Sequence, residues 1–276
     1  TGQFIRVKGQ DVTAGQQVCD KGTKLEARHL GVLASMGIEQ VEVYRRLKVA
    51  IASTGSELVN PGQALKAGQI YNSNRFLLAG LIDQLGMELV DMGIITDERP
   101  TTESALALAA DQADIIITSG GVSEGEEDHV KGAVDTLGQL EVWKLAIKPG
   151  KPLAFGRVKQ TPIFGLPGNP VSAMVTFYQI VQGSLKMRMG LKIDDSIPLL
   201  KVECVESIFK RPGRTEFQRG ILFQSNKTWK VKTTGQQGSA ILSSMSKANC
   251  FIVLSADRGA IKAGEIVDIQ LMASFI

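Results

Sequence analysis

Three short apolar runs constrain this chain more than any other feature, because each ends in glycine and small polar residues and each is followed by helix-spaced sequence. LKVAIAS (47–53) runs into Thr54, Gly55 and Ser56, DIIITSGG (114–121) ends in a glycine pair, and TPIFGLPGNP (161–170) closes in a Pro/Gly turn. Runs of this length, rich in β-branched residues, suit strands buried in a parallel sheet. MELVDMGII (87–95) reads as a further strand. Helical spacing fills the gaps: Arg75–Leu85 with Gly86 after it, the Ala-rich Thr101–Gln112, Val130–Leu137, and the long Val171–Met189. Such alternation builds a three-layer α/β/α domain with a mostly parallel sheet.

After about Leu191 the helical pattern stops. KVECVES, TEFQRGILFQ, WKVKTTG, CFIVLS and EIVDIQLM are short strands spaced by Gly, Asn and Lys, the pattern of a small all-β, barrel-like domain. At the other end, residues 1–14 read as the last strand of something that started earlier. KLEARHLGVLASMG reads as a short amphipathic helix with a glycine stop. The expected division is 1–45, 46–191 and 192–276.

Composition narrows the function. The chain has 276 residues, 43% hydrophobic and 21% charged, enough for a sizeable core. A net charge of +3 is too small to argue for nucleic acid or a membrane surface. No apolar run is long enough to span a bilayer, and TGQFIRVKGQ lacks the apolar core of a signal peptide. With no initiator Met, the chain reads as one missing its beginning. Cys19, Cys204 and Cys250 lack metal-site spacing and are expected as buried, reduced thiols of a cytoplasmic protein. His29 and His129 are the only histidines, which argues against a His-based zinc site or a Ser-His-Asp triad. The chemistry is left to carboxylates, lysines and backbone amides.

Ligands of open α/β sheets sit outside the carboxyl ends of the strands. Four loops fall there: STGSEL (53–58), ITDERP (95–100), TSGGVSEGEEDH (118–129) and FGLPGNPVSA (164–173). Thr54, Gly55, Ser119, Gly120, Gly121, Ser123, Pro167, Gly168, Asn169 and Pro170 leave little bulk over the backbone, so exposed N–H groups and helix N-termini can cradle phosphate. One glycine pair would be read as a tight turn; three such loops at one edge favour a cradle. Glu57, Asp97 and Asp128 follow strand ends, and their carboxylates suit Mg²⁺, which takes one or two of them plus phosphate oxygens and water. Asp97 and Asp128 suit helix caps equally well. Lys144, Lys148 and Lys151 surround a Pro-Gly turn and could hold an oxyanion. Lys210, Arg211 and Arg214 read as a charged turn, and Arg219 stands at a strand end.

TSGGVSEGEEDH, KPGKP and LPGNPVSA, in that order, resemble the molybdopterin molybdotransferases, the family of bacterial MoeA and the gephyrin E domain. GQDVTAG, IYNSNR, GIITDERP, FQRG, TTGQQGS and NCFIVL extend the resemblance along the whole chain. It implies a MogA-like α/β domain that holds adenylylated molybdopterin, onto whose dithiolene molybdate is placed while AMP is released with Mg²⁺. Asp11, Glu57, Asp97, Asp128, Lys144 and Lys148 match the family's catalytic residues, with Glu57, Asp97 and Asp128 towards the metal. Lys151, Pro167, Pro170, Ser172, Arg219 and Ser239 match its substrate-binding positions, the last two from the β domain towards molybdate. The resemblance also implies a molybdopterin adenylyltransferase as pathway neighbour and a homodimer in the full-length family. Residues 1–45 then correspond to the end of an N-terminal β and dimerisation region. Without the rest of that region, transfer by this chain is expected to be impaired. Two other readings share the fold: a gephyrin-like interaction scaffold, and a pterin-binding adenylyltransferase, which the β domain after Leu191 disfavours.

Overall fold

The computed structural model describes residues 4–96, 98–120, 129–192 and 198–272. In chain order these form α1 (Ala27–Ser35), β1 (Lys48–Thr54), β2 (Leu58–Val59), β3 (Ile70–Tyr71), α2 (Ser73–Gln84), β4 (Glu88–Ile95), α3 (Arg99–Gln112), β5 (Ile115–Ser119), α4 (His129–Leu137), β6 (Gly138–Lys144), β7 (Ile147–Lys148), β8 (Pro152–Val158) and β9 (Thr161–Leu166). Then α5 (Pro170–Thr176) continues through one π-helical stretch, Phe177–Val181, into α6 (Gln182–Arg188). The second half adds β10 (Leu200–Cys204), β11 (Thr215–Ser225), β12 (Thr228–Thr233), α7 (Ser243–Lys247), β13 (Cys250–Leu254) and β14 (Ile266–Leu271).

The first sheet has the order β4-β1-β5-β9-β8-β6. β4, β1, β5 and β9 run parallel, and β8 and β6 complete the sheet antiparallel to their neighbours. The period-two alternation of side chains sorts the apolar runs onto its two faces. Val49, Ile51, Ile115 and Ile117 pack with Leu78, Ile82, Val175 and Leu185 on one side. Ala50 and Ile116 pack with Leu106, Ala109, Ala133 and Val134 on the other. Burial on both faces is why these strands read as unbroken apolar runs.

In the second sheet β12, β10, β14, β13 and β11 follow one another, and an additional β11–β12 pairing closes a five-stranded barrel. Val202, Leu222, Val231, Ile252, Ile261 and Ile269 fill it. The barrel is joined to the α/β layer by a shared core: Phe217, Met245 and Phe251 belong to the same buried cluster as Phe177 and Tyr178. Tyr178 meets Phe251 edge-on at 5.7 Å between centroids, and β7 pairs with β11 as a sixth strand.

Three expectations need correction. Residues 4–14 form no strand; Phe4, Ile5 and Val7 are exposed, and no neighbouring strand accepts their backbone. Helix does recur after Leu191, as the short α7, whose Ser244 and Met245 are buried against the barrel. Cys204 and Cys250 are buried, and desolvation pushes the Cys250 thiol up to about 12, but Cys19 is only half-buried.

Candidate active site

Strand direction gathers the candidate residues. β8 is antiparallel to β9 and β6 antiparallel to β8, so β6 ends at the same sheet edge as β1, β4, β5 and β9. Thr54, Ile95, Ser119, Leu166 and Lys144 are the last residues of those five strands. The Lys144↔Pro152 pairing puts the intervening turn, with Lys148 and Lys151, at that edge too.

Three loops touch there. Gly120 has φ +87° and donates its N–H to the Leu166 carbonyl at 3.1 Å. A Cβ on Gly120 would stand 2.5 Å from the Thr54 carbonyl oxygen, and one on Gly168 would stand 3.9 Å from the Gly120 Cα. Ser53 and Ser119 face each other at 3.2 Å between hydroxyls, and Ser53 Oγ donates to Asn72 Oδ1 at 3.1 Å. Asn72 caps α2 by accepting from the Arg75 N–H, and Asn74 Nδ2 donates to the Gly168 carbonyl at 2.9 Å. Loops 53–58, 118–120 and 167–170 thus close around the start of α2.

Under this junction lie three buried polar atoms without a protein partner: Thr54 Oγ1, Asn72 Nδ2 and Asn74 Oδ1. Their residues are 6%, 1% and 7% exposed. Buried polar groups are normally paired; these three are closed off from solvent, as are the unpaired hydroxyls of Thr118 and Thr176. Asn72 and Asn74 were missed as site residues in the sequence. Their segment, IYNSNR, looks like a helix start, and only the tertiary approach of Gly168 gives the amides a second role.

The lysine turn is fixed from both sides. Leu145 N–H donates to the Lys151 carbonyl at 2.7 Å. Gly150 has φ +101°, and a Cβ there would stand 2.5 Å from Thr176 Oγ1 and 3.3 Å from the Ser172 carbonyl. The turn therefore lies against α5, beside the buried Ser172. Lys148 Nζ meets Glu216 Oε1 across the β7–β11 pair at 3.1 Å. Lys144 and Lys151 are exposed.

The β domain reaches the same place through one loop. The Ser239 carbonyl accepts from the Val171 N–H in the first turn of α5, at 3.2 Å. Arg219 is 1% exposed. Its Nε donates to Ser244 Oγ at 2.9 Å and one Nη to the Gly238 carbonyl at 3.0 Å. Burial pulls its pKa down to about 10, which leaves the guanidinium charged at neutral pH. In this structure Arg219 braces the 236–239 loop that carries Ser239 towards Ser172. Arg219→Ala should lower the unfolding free energy by about 2–4 kcal/mol, because carbonyls and a hydroxyl lose a buried charged donor. Arg219→Lys should not restore it, since a single ammonium cannot reproduce the fork. Denaturant midpoints measure this, and a loss under about 1 kcal/mol would contradict the bracing role.

Other expected residues sit apart or lie outside the described residues. Glu57 is exposed at the edge, with its carboxylate over Gly55: a Cβ on Gly55, whose φ is +145°, would stand 2.5 Å from Glu57 Oε2. Asn169 and Pro170 form the cap and first residue of α5, directly after Pro167 and Gly168. Asp11 instead lines a shallow cavity with Arg6, Gln10, Ser35 and Met36, all from the N-terminal segment. Asp97, Gly121, Ser123 and Asp128 lie outside the described residues. Among the described residues no three Asp, Glu, His or Cys side chains gather as metal ligands, and no helix is long and apolar enough to cross a membrane.

A mostly parallel sheet whose carboxyl edge carries glycine loops and a lysine turn, with a closed barrel packed beside it, places the chain in the α/β class with an appended β barrel. Residues 50–187 match the family described as "Probable molybdopterin binding domain", and residues 201–272 the "MoeA C-terminal region (domain IV)". The chain is 45% identical to the molybdopterin molybdenumtransferase of Haemophilus influenzae, over 97% of this chain and 67% of that protein. It is 37% identical to molybdopterin molybdenumtransferase 2 of Mycobacterium tuberculosis, over 95% of this chain and 66% of that one. The molybdopterin biosynthesis MoeA protein of Pyrococcus horikoshii superposes with a TM-score of 0.80 at 29% identity, over 96% of this chain and 64% of that one. The chain belongs to the MoeA family of molybdopterin molybdenumtransferases. It spans about two thirds of the length of these relatives.

Proposed function

We propose that the protein takes part in molybdenum cofactor synthesis by binding adenylylated molybdopterin at the loop edge, placing molybdate on its dithiolene and releasing AMP with Mg²⁺. The observation that carries this reading is the meeting of three glycine-bearing loops and the lysine turn at one sheet edge. Glycine-bearing loops at strand ends let the backbone approach the phosphates of such a ligand closely. Thr54, Gly55, Ser119, Gly120, Pro167, Gly168, Asn169 and Pro170 would form the cradle, with Gly121 and Ser123, outside the described residues, following in the same loop. Lys144, Lys148 and Lys151 supply positive charge, with Ser172 and Ser239 as hydroxyl donors to the oxyanion. Glu57, Asp97 and Asp128 would hold Mg²⁺, which when bound polarises a phosphoryl oxygen; oxygen-only donors suit that ion. The adenylylated substrate requires an adenylyltransferase upstream. A homodimer, in which a partner subunit completes the cleft, belongs to the same reading.

Asn74→Leu keeps the side chain's approximate size and removes both its polar atoms. The expected result is a rise of about five- to 100-fold in the concentration of adenylylated molybdopterin needed to raise Tm, from about 1–3 kcal/mol for lost buried hydrogen bonds. Unchanged ligand dependence would remove Asn74 from the site and weaken the cradle reading.

A further inference from the structure

The Lys148–Glu216 pair joins two domains and is built unlike a surface ion pair. Lys148 and Glu216 are register partners in the parallel β7–β11 pairing, which brings their side chains together across the seam. The Glu216 side chain is only 7% exposed, whereas that of Lys148 is 51% exposed. Both carboxylate oxygens are engaged: Oε1 accepts from Lys148 Nζ at 3.1 Å and Oε2 from Gln218 Nε2 at 2.9 Å. Gln218 is itself 7% exposed. The carboxylate is therefore fixed by the barrel. The backbone after Lys148 is fixed by the α/β domain, where Gly150 lies against Thr176 and Ser172. A cavity of about 250 Å³ opens beside the pair, lined also by Ser207, Phe209, Thr233 and Gln237.

We infer that Glu216 is a positioning residue, which holds the Lys148 ammonium at the seam so that its outward N–H groups face an incoming oxyanion. A lysine has three donors and a flexible four-carbon stem. Glu216 uses one donor and removes much of the stem's freedom before the ligand arrives. Freezing such a side chain otherwise costs about 0.5–1.5 kcal/mol at binding, or about three- to tenfold in affinity. The negative charge of Glu216 opposes anion binding, and Gln218 holds the second carboxylate oxygen in place on the barrel; the positional term is the larger of the two. The inference rests on Lys148 meeting molybdate, as proposed above.

The test is a double-mutant cycle read by molybdate affinity in isothermal titration. Glu216→Gln should weaken molybdate about three- to tenfold, with Glu216→Asp intermediate. In a Lys148→Ala background Glu216→Gln should change nothing, because the residue acts only through Lys148. Equal loss in both backgrounds would show that Glu216 merely supports the barrel. No loss in Glu216→Gln, with Lys148→Ala impaired, overturns the positioning role and leaves the proposed function standing. No loss in Lys148→Ala overturns both. Tm measured alongside separates any general loss of folding.

Discussion

Gly120→Ala is expected to cut affinity for adenylylated molybdopterin about 100-fold or more while the protein stays folded. Two costs combine. The backbone at φ +87° is left-handed, which costs a residue with a Cβ about 1–2 kcal/mol. The new methyl would also stand 2.5 Å from the Thr54 carbonyl oxygen and 3.3 Å from Thr54 Oγ1. That carbonyl is backbone at the end of β1 and cannot swing away, so the two loops must part. Parting them moves Gly168, packed against Gly120, and with it the carbonyl that orients Asn74. The cradle opens where three loops define it, and the affinity loss corresponds to about 2.7 kcal/mol. Gly86→Ala is the control. Its φ is +70°, yet a Cβ there meets nothing within 4 Å. It should cost stability alone, and an equal affinity loss in that variant would contradict the cradle.

Lys148→Ala is the second large effect. It should weaken molybdate about 10- to 100-fold, the range of a charge-assisted hydrogen bond, of about 1.5–3 kcal/mol. Affinity for the pterin nucleotide should change by less than about threefold, since the loops at Thr54, Gly120 and Gly168 are untouched. The variant should also lose about 1–3 kcal/mol of stability, because the buried Glu216 carboxylate keeps only Gln218 as partner. Adding Glu216→Gln should recover part of that stability without recovering molybdate affinity. Recovery of both would place the anion elsewhere.

The parallel strands were legible in the sequence because burial on both faces leaves unbroken apolar runs, and β1 and β5 are such runs. β6 and β8 were harder. Their burial alternates irregularly, Trp143 is 47% exposed, and nothing local announces that they pair antiparallel. Yet that pairing carries the lysine turn to the loop edge. The cradle glycines were legible as glycines, but not their approach to one another, which depends on long-range register. Arg219 could be singled out from FQRG, but not its packing, which gives Nε to Ser244 and one Nη to the Gly238 carbonyl. Glu216 carries no local signal, because only the β7–β11 pairing sets Lys148 beside it.

In the proposed function one sheet edge holds both the pterin nucleotide and the oxyanion, the first through the glycine loops and the second through the lysine turn. Sequential isothermal titration tests it: adenylylated molybdopterin first, then molybdate, on the unaltered protein and on Lys148→Ala. The nucleotide should bind both at one site. Molybdate should then bind the loaded unaltered protein, and about 10- to 100-fold more weakly after Lys148→Ala. Failure of the nucleotide to bind, or molybdate affinity indifferent to Lys148, would contradict it.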